Sequence, residues 1–156
     1  MLTPKQYVCQ MSEVRFHRGV ERDFRSAAEQ LGMKIAVSVL SDAIAVIRVP
    51  HGGSDDAWED PTHLRAYFPG SFGYFSQPFY SNADYGYRAD WNPEKLTLLV
   101  YRSLCAGLTP QEIISKSQVE RNVVKEMICE MRAVKPMRGH RRELQTRGKI
   151  EILPVD

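Results

Sequence analysis

Three cysteines, Cys9, Cys105 and Cys129, are too few and too scattered for a disulfide framework, and their number is odd. No C-x-x-C pair is present, so a structural zinc site is not expected. Cys105 and Cys129 sit among apolar residues, where a reduced thiol packs as a small hydrophobe, and a cytoplasmic location is expected. Long apolar runs are missing too. The longest weakly polar stretch, 35–49, is broken by Ser38, Ser41, Asp42 and Arg48. It falls short of the roughly 18 apolar residues of a membrane span, so no membrane partner is expected. The opening Met-Leu-Thr-Pro-Lys-Gln runs straight into charge and does not read as a secretory leader.

Catalytic signatures are equally scarce. H-E-x-x-H, an EF-hand loop, G-x-x-x-x-G-K, G-x-G-x-x-G and G-x-S-x-G are all missing. His51, Asp55, Asp56, Glu59, Asp60 and His63 crowd within thirteen residues, but in none of the spacings a metal site uses. They read as an exposed acidic loop. No enzyme, catalytic residue, metal or cofactor is expected, and no internal repeat is apparent.

What is present is unevenly distributed. The net charge of +2 divides into seven Lys/Arg against five Asp/Glu over 1–50, two against six over 51–92, and twelve against eight over 93–156. The densest basic cluster holds Arg132, Lys135, Arg138, Arg141, Arg142, Arg147 and Lys149, a composition that suits a polyanion or a solvated tail. Residues 50–92 carry eleven of the fifteen aromatic residues, among them Trp58, Tyr74 and Tyr85, interleaved with Gly and Pro. Short extended pieces and tight turns are expected there, and a segment that long is either core or functional.

Periodicity suggests an α+β chain in two parts. Over 1–92 we expect an N-terminal helix within 2–31, its face of Arg15, Arg18, Arg22 and Arg25 in solvent. A β-hairpin over 33–40 and 44–49 follows, and then the aromatic-rich irregular segment. Over 93–156 we expect three helices and a basic tail. The first starts at Asn92-Pro93-Glu94 with the stripe Leu96, Leu99, Val100 and Leu104. The second covers 110–117, capped by Thr109 with Glu112 three residues on. The third covers 120–131, where Val123, Met127 and Met131 recur at i, i+4 and i+8. Ile150 and Ile152 could form a short terminal strand or wing.

The phrase Ala106-Gly107-Leu108-Thr109-Pro110-Gln111-Glu112-Ile113 resembles the helix-turn-helix of LuxR-type regulators and of sigma-factor region 4, over residues 93–134. That resemblance implies a DNA-binding transcriptional regulator with double-stranded DNA as partner and a third helix in the major groove. Arg121 would then meet a guanine edge, Asn122 an adenine edge and Lys125 a phosphate, with Gln111 on the preceding helix. Arg132, Lys135, Arg138, Arg141 and Arg142 would grip the backbone, and a homodimer on two half-sites is expected. A second reading of another class stays open. The chain would be a non-catalytic adaptor or inhibitor acting on a nucleoprotein complex, contacting a protein partner through Trp58, Tyr74 and Tyr85. Plain core packing is the bland account of the same rings.

Overall fold

The computed structural model describes residues 13–17 and 80 as backbone alone, together with 43–79 and 89–156. Five strands form one mixed sheet: β1 (Glu13–His17), β2 (Ile44–Pro50), β3 (Trp91–Tyr101), β4 (Val124–Ala133) and β5 (Lys149–Val155). Their order across the sheet is β1-β2-β4-β3-β5. All neighbours are antiparallel except β3 and β5, which run parallel. The sheet draws strands from both sides of the 92/93 boundary.

Side chains alternate across the sheet because strand Cβ atoms do. Met127, Cys129, Met131 and Ala133 of β4 are buried, while Glu126, Ile128, Glu130 and Arg132 between them are half-buried. The register aligns Val49, Met127 and Leu98 in one apolar row, continued by Ile152. Ile47, Cys129 and Leu96 form the next. Phe72, Ile113, Trp91 and Val123 complete the core cluster. Phe72 comes from the 3₁₀ turn Pro69–Phe75 in the long connection between β2 and β3. On the opposite face, Arg48 pairs with Glu126, Lys95 with Glu130 at 2.5 Å, and Arg132 with Glu94 at 2.5 Å. Such half-exposed pairs, screened by water, contribute little to stability.

Three short helices accompany the sheet among the described residues: α1 (Asp56–Glu59), α2 (Arg102–Cys105) and α3 (Pro110–Ser117). The α3 cap forms as its sequence suggests. Thr109 Oγ1 accepts from the Glu112 N–H at 3.3 Å, and the Thr109 N–H donates to Glu112 Oε2 at 2.7 Å. Ile113 anchors the helix in the core. The strand expected over 44–49 and a terminal strand through Ile150 and Ile152 are also found.

The three-helix, helix-turn-helix architecture is not. Residues 93–101 belong to strand β3 and 124–131 to strand β4, so both its bracing helix and its recognition helix are replaced by strands. The resemblance to LuxR-type regulators and sigma-factor region 4 is overturned with it. The reason is arithmetic. A spacing of i, i+4, i+8 fits a helical stripe and one face of a strand equally, and Val123, Met127 and Met131 satisfy both. Cys129, two residues from both Met127 and Met131, and Ala133, two beyond Met131, are buried on the same side and decide for the strand. Pro93, read as a helix start, lies beside a register shift between Pro93 and Lys95, where a bulge tolerates the missing N–H. The N-terminal helix expected over 2–31 is contradicted at 13–17, where the backbone is strand β1 paired antiparallel with β2. The neighbours of β2 are β1 and β4; the hairpin partner proposed at 33–40 lies outside the described residues.

Candidate functional site

The chain leaves the sheet at Pro50 and turns at once. The Ser54 N–H donates to the His51 carbonyl at 2.7 Å, closing a tight turn over Gly52 and Gly53. The His51 N–H is held by the Lys125 carbonyl at 3.1 Å, so the turn stays fixed to β4. The His51 ring is buried, and its Nδ1 accepts the Gly53 N–H at 3.0 Å. Burial lowers its pKa, and the N–H donated to Nδ1 fits the tautomer that carries its proton on Nε2.

Gly52 is the seat of two aromatic rings. The Trp58 indole N–H donates to the Gly52 carbonyl at 2.9 Å. Phe68 lies where a side chain on the same residue would project, so close that a Cβ there would stand 2.5 Å from its ring. Only glycine permits this approach. The Gly52 N–H donates to the Tyr67 carbonyl at 2.6 Å, tying the segment that carries Phe68 to the turn. His51 meets Phe68 edge to face, with ring centroids 5.3 Å apart. Yet Trp58 is 64% exposed and Phe68 47%. The two rings are positioned by the fold and left uncovered by it.

A second turn pins this one. Asn122 has φ 58°, a left-handed conformation that its short polar side chain tolerates. Its N–H donates to the Gly53 carbonyl at 2.8 Å, its Oδ1 accepts the Asp55 N–H at 2.8 Å, and its Nδ2 donates to Asp55 Oδ2 at 2.7 Å. Arg121 adds an ion pair to Asp55 at 2.5 Å. The Asn122 hydrogen bond above all, with Arg121 behind it, holds the Asp55 carboxyl below the usual carboxylate range against the opposing effect of desolvation. Asp55 is thereby occupied. Asp56, Glu59 and Asp60 beside Trp58 stay exposed, with Arg65 and Leu64 beyond them. Asp60 is stiffened by Thr62, whose hydroxyl and N–H donate to it at 2.7 and 2.8 Å. One end of the sheet therefore presents aromatic surface edged with carboxylates. No group of three or more His, Cys, Asp or Glu side chains placed to hold a metal occurs among the described residues.

No family model, curated protein or solved structure matches the chain.

The residues expected to meet DNA are dispersed. Gln111 is exposed on α3. Arg121 and Asn122 are engaged on Asp55. Lys125 lies on β4, its Nζ 5.5 Å from the Tyr101 ring centroid. Arg132 is paired with Glu94 across the sheet. Arg138 is turned inward on Asp90, whose side chain is fully buried. Lys135 is exposed and precedes Pro136, and Arg141 and Arg142 are exposed nearby. Of the rings expected to meet a partner, Trp58 and Tyr74 are exposed, at 64% and 62%, and Tyr85 lies outside the described residues. Phe68, Gly52 and the role of Asn122 were not singled out from the sequence. The Gly52-Gly53 pair and an Asn in Glu-Arg-Asn-Val were the signals, since both mark backbone turns.

Proposed function

We propose that the chain is a non-catalytic protein-interaction module. Its aromatic and acidic pole takes a segment of a protein partner that carries Lys or Arg beside apolar side chains. The observation that carries this reading is the pair Trp58 and Phe68, each braced on Gly52 and each still open to solvent. Rings held in place lose little entropy on binding. Covering the roughly 250 Å² that the two rings together still expose is worth about 6 kcal/mol in all, before the costs of association. Asp56, Glu59 and Asp60 select a cation, which can also sit over the indole face for about 1 kcal/mol. The free, buried Cys105 and Cys129 suit a reducing, cytoplasmic setting. Among the described residues, no helix is long and apolar enough to cross a membrane.

Calorimetric titration with a synthetic Lys- and Arg-rich peptide tests the reading. We expect saturable binding that weakens with salt and is lost in Trp58→Ala and in Phe68→Ala, both still folded by circular dichroism. Binding untouched by both substitutions, or retention of duplex DNA through Arg141 and Arg142 with no peptide bound, contradicts it.

A further inference from the structure

The molecule has a second pole of opposite charge. Arg138 is locked on Asp90, immediately before β3, and from there residues 139–148 lead into β5. Arg141, Arg142 and Arg147 on this stretch are exposed and have no ion-pair partner among the described residues, and with the single carboxylate Glu143 among them they leave the stretch net positive. Gln145 ties the stretch down by donating to the Pro78 carbonyl at 3.1 Å. The aromatic and acidic pole lies at the other end of the strands, where Pro50 of β2 faces Glu126, and Glu126 faces Leu99 of β3. From Asp90 to Leu99 is nine residues, roughly 30 Å at strand rise. No side chain spans that distance, so the two poles of one molecule cannot neutralise each other.

Resting on the reading above, we infer that the partner is a second copy of this chain, whose Arg141, Arg142 and Arg147 dock on Asp56 and Glu59 beside Trp58 and Phe68. Charge complementarity selects this occupant. Exposed carboxylates flank aromatic faces at one end, and exposed guanidinium groups, which stack on such faces and pair with carboxylates, stand at the other. Two copies set antiparallel satisfy both pole pairs at once, in a closed two-fold arrangement.

Analytical ultracentrifugation across a concentration series at low and high salt reads this directly. The expected result is a mass that rises to the dimer at low salt and falls back at high salt. Asp56→Arg with Glu59→Arg, and separately Arg141→Glu with Arg142→Glu, should each weaken association at least about tenfold. Mixing the two variants should restore a heterodimer, a rescue that a merely damaged fold cannot give. A wild-type chain that stays monomeric overturns the inference. If that monomer still binds the Lys- and Arg-rich peptide at Trp58, only the self-partner is lost; if it binds no peptide, the interaction reading falls as well. Duplex DNA held by Arg141 and Arg142 in a monomeric chain also overturns it, in favour of a polyanion partner.

Discussion

Arg138→Ala should be among the most damaging single substitutions in the described part of the chain. Asp90 receives four donors: the Arg138 N–H at 2.9 Å, its Nε and Nη2 at 2.8 Å each, and the Gln77 N–H at 3.0 Å. Removing the guanidinium leaves a fully buried carboxylate with two backbone donors and no cation, and takes a donor from the buried Ser76 hydroxyl. Stranding a buried charge costs about 3–5 kcal/mol, or roughly 10 °C in melting temperature at this size. Asp90→Asn should cost less, about 2 kcal/mol, because Arg138 is 19% exposed and can turn toward water. The pH dependence has a definite sign. Burial alone would raise the Asp90 pKa, but the bonds from Arg138 and Gln77 outweigh it and lower the pKa. In the wild type its stabilisation is complete above the ordinary carboxylate range and is lost as pH falls through the lowered folded-state value. In Arg138→Ala burial prevails, so the penalty is largest at neutral pH and relaxes on acidification. Thermal melts from pH 7 to pH 4 should show the gap between the two proteins narrowing. An Arg138→Ala protein that melts within 2 °C of wild type, or a gap that widens toward pH 4, refutes the reasoning.

Gly52→Ala should cost only about 1 kcal/mol, since the Phe68 ring can swing aside, yet it should abolish peptide binding; unchanged binding would show that the Phe68 position is immaterial. Asn122→Ala should destabilise by about 2–3 kcal/mol and Asn122→Gly by about 1 kcal/mol less, because φ 58° suits glycine; equal denaturation midpoints would remove the backbone argument. Burial pushes the Cys129 thiol up to about 12, so alkylation of the native protein at pH 8 should spare it until denaturant is added, as peptide mass spectrometry can report.

Much of the local structure was legible, and the global arrangement was not. The α3 cap could be read because Thr109, Pro110 and Glu112 act on their own neighbours within four residues. β2 was legible from its run of Val and Ile. β4 was not, because Val123, Met127 and Met131 fit two periods and the helix-turn-helix phrase ahead of them tipped the choice. Attending to Cys129 and Ala133 would have reversed it. At the site, Trp58 was visible as an unusual residue in an acidic loop. The ledge that holds it was not, because it is built by contacts 16 residues apart between Gly52 and Phe68, and 67 apart between Asp55 and Asn122. The basic residues looked like one patch in the sequence. In the fold Arg121, Arg132 and Arg138 each face a carboxylate, whereas Arg141, Arg142 and Arg147 are exposed with no ion-pair partner among the described residues.

Collisional quenching of tryptophan fluorescence by acrylamide tests the central claim most directly. Trp91 is 2% exposed and Trp58 64%, so a quencher in solution reads Trp58 almost alone. Adding the Lys- and Arg-rich peptide to protein dilute enough to be monomeric should shield Trp58 and lower the quenching constant at least twofold, with the shielding reversed by salt. Peptide that binds while Trp58 stays as accessible as before would place the contact elsewhere and contradict the account.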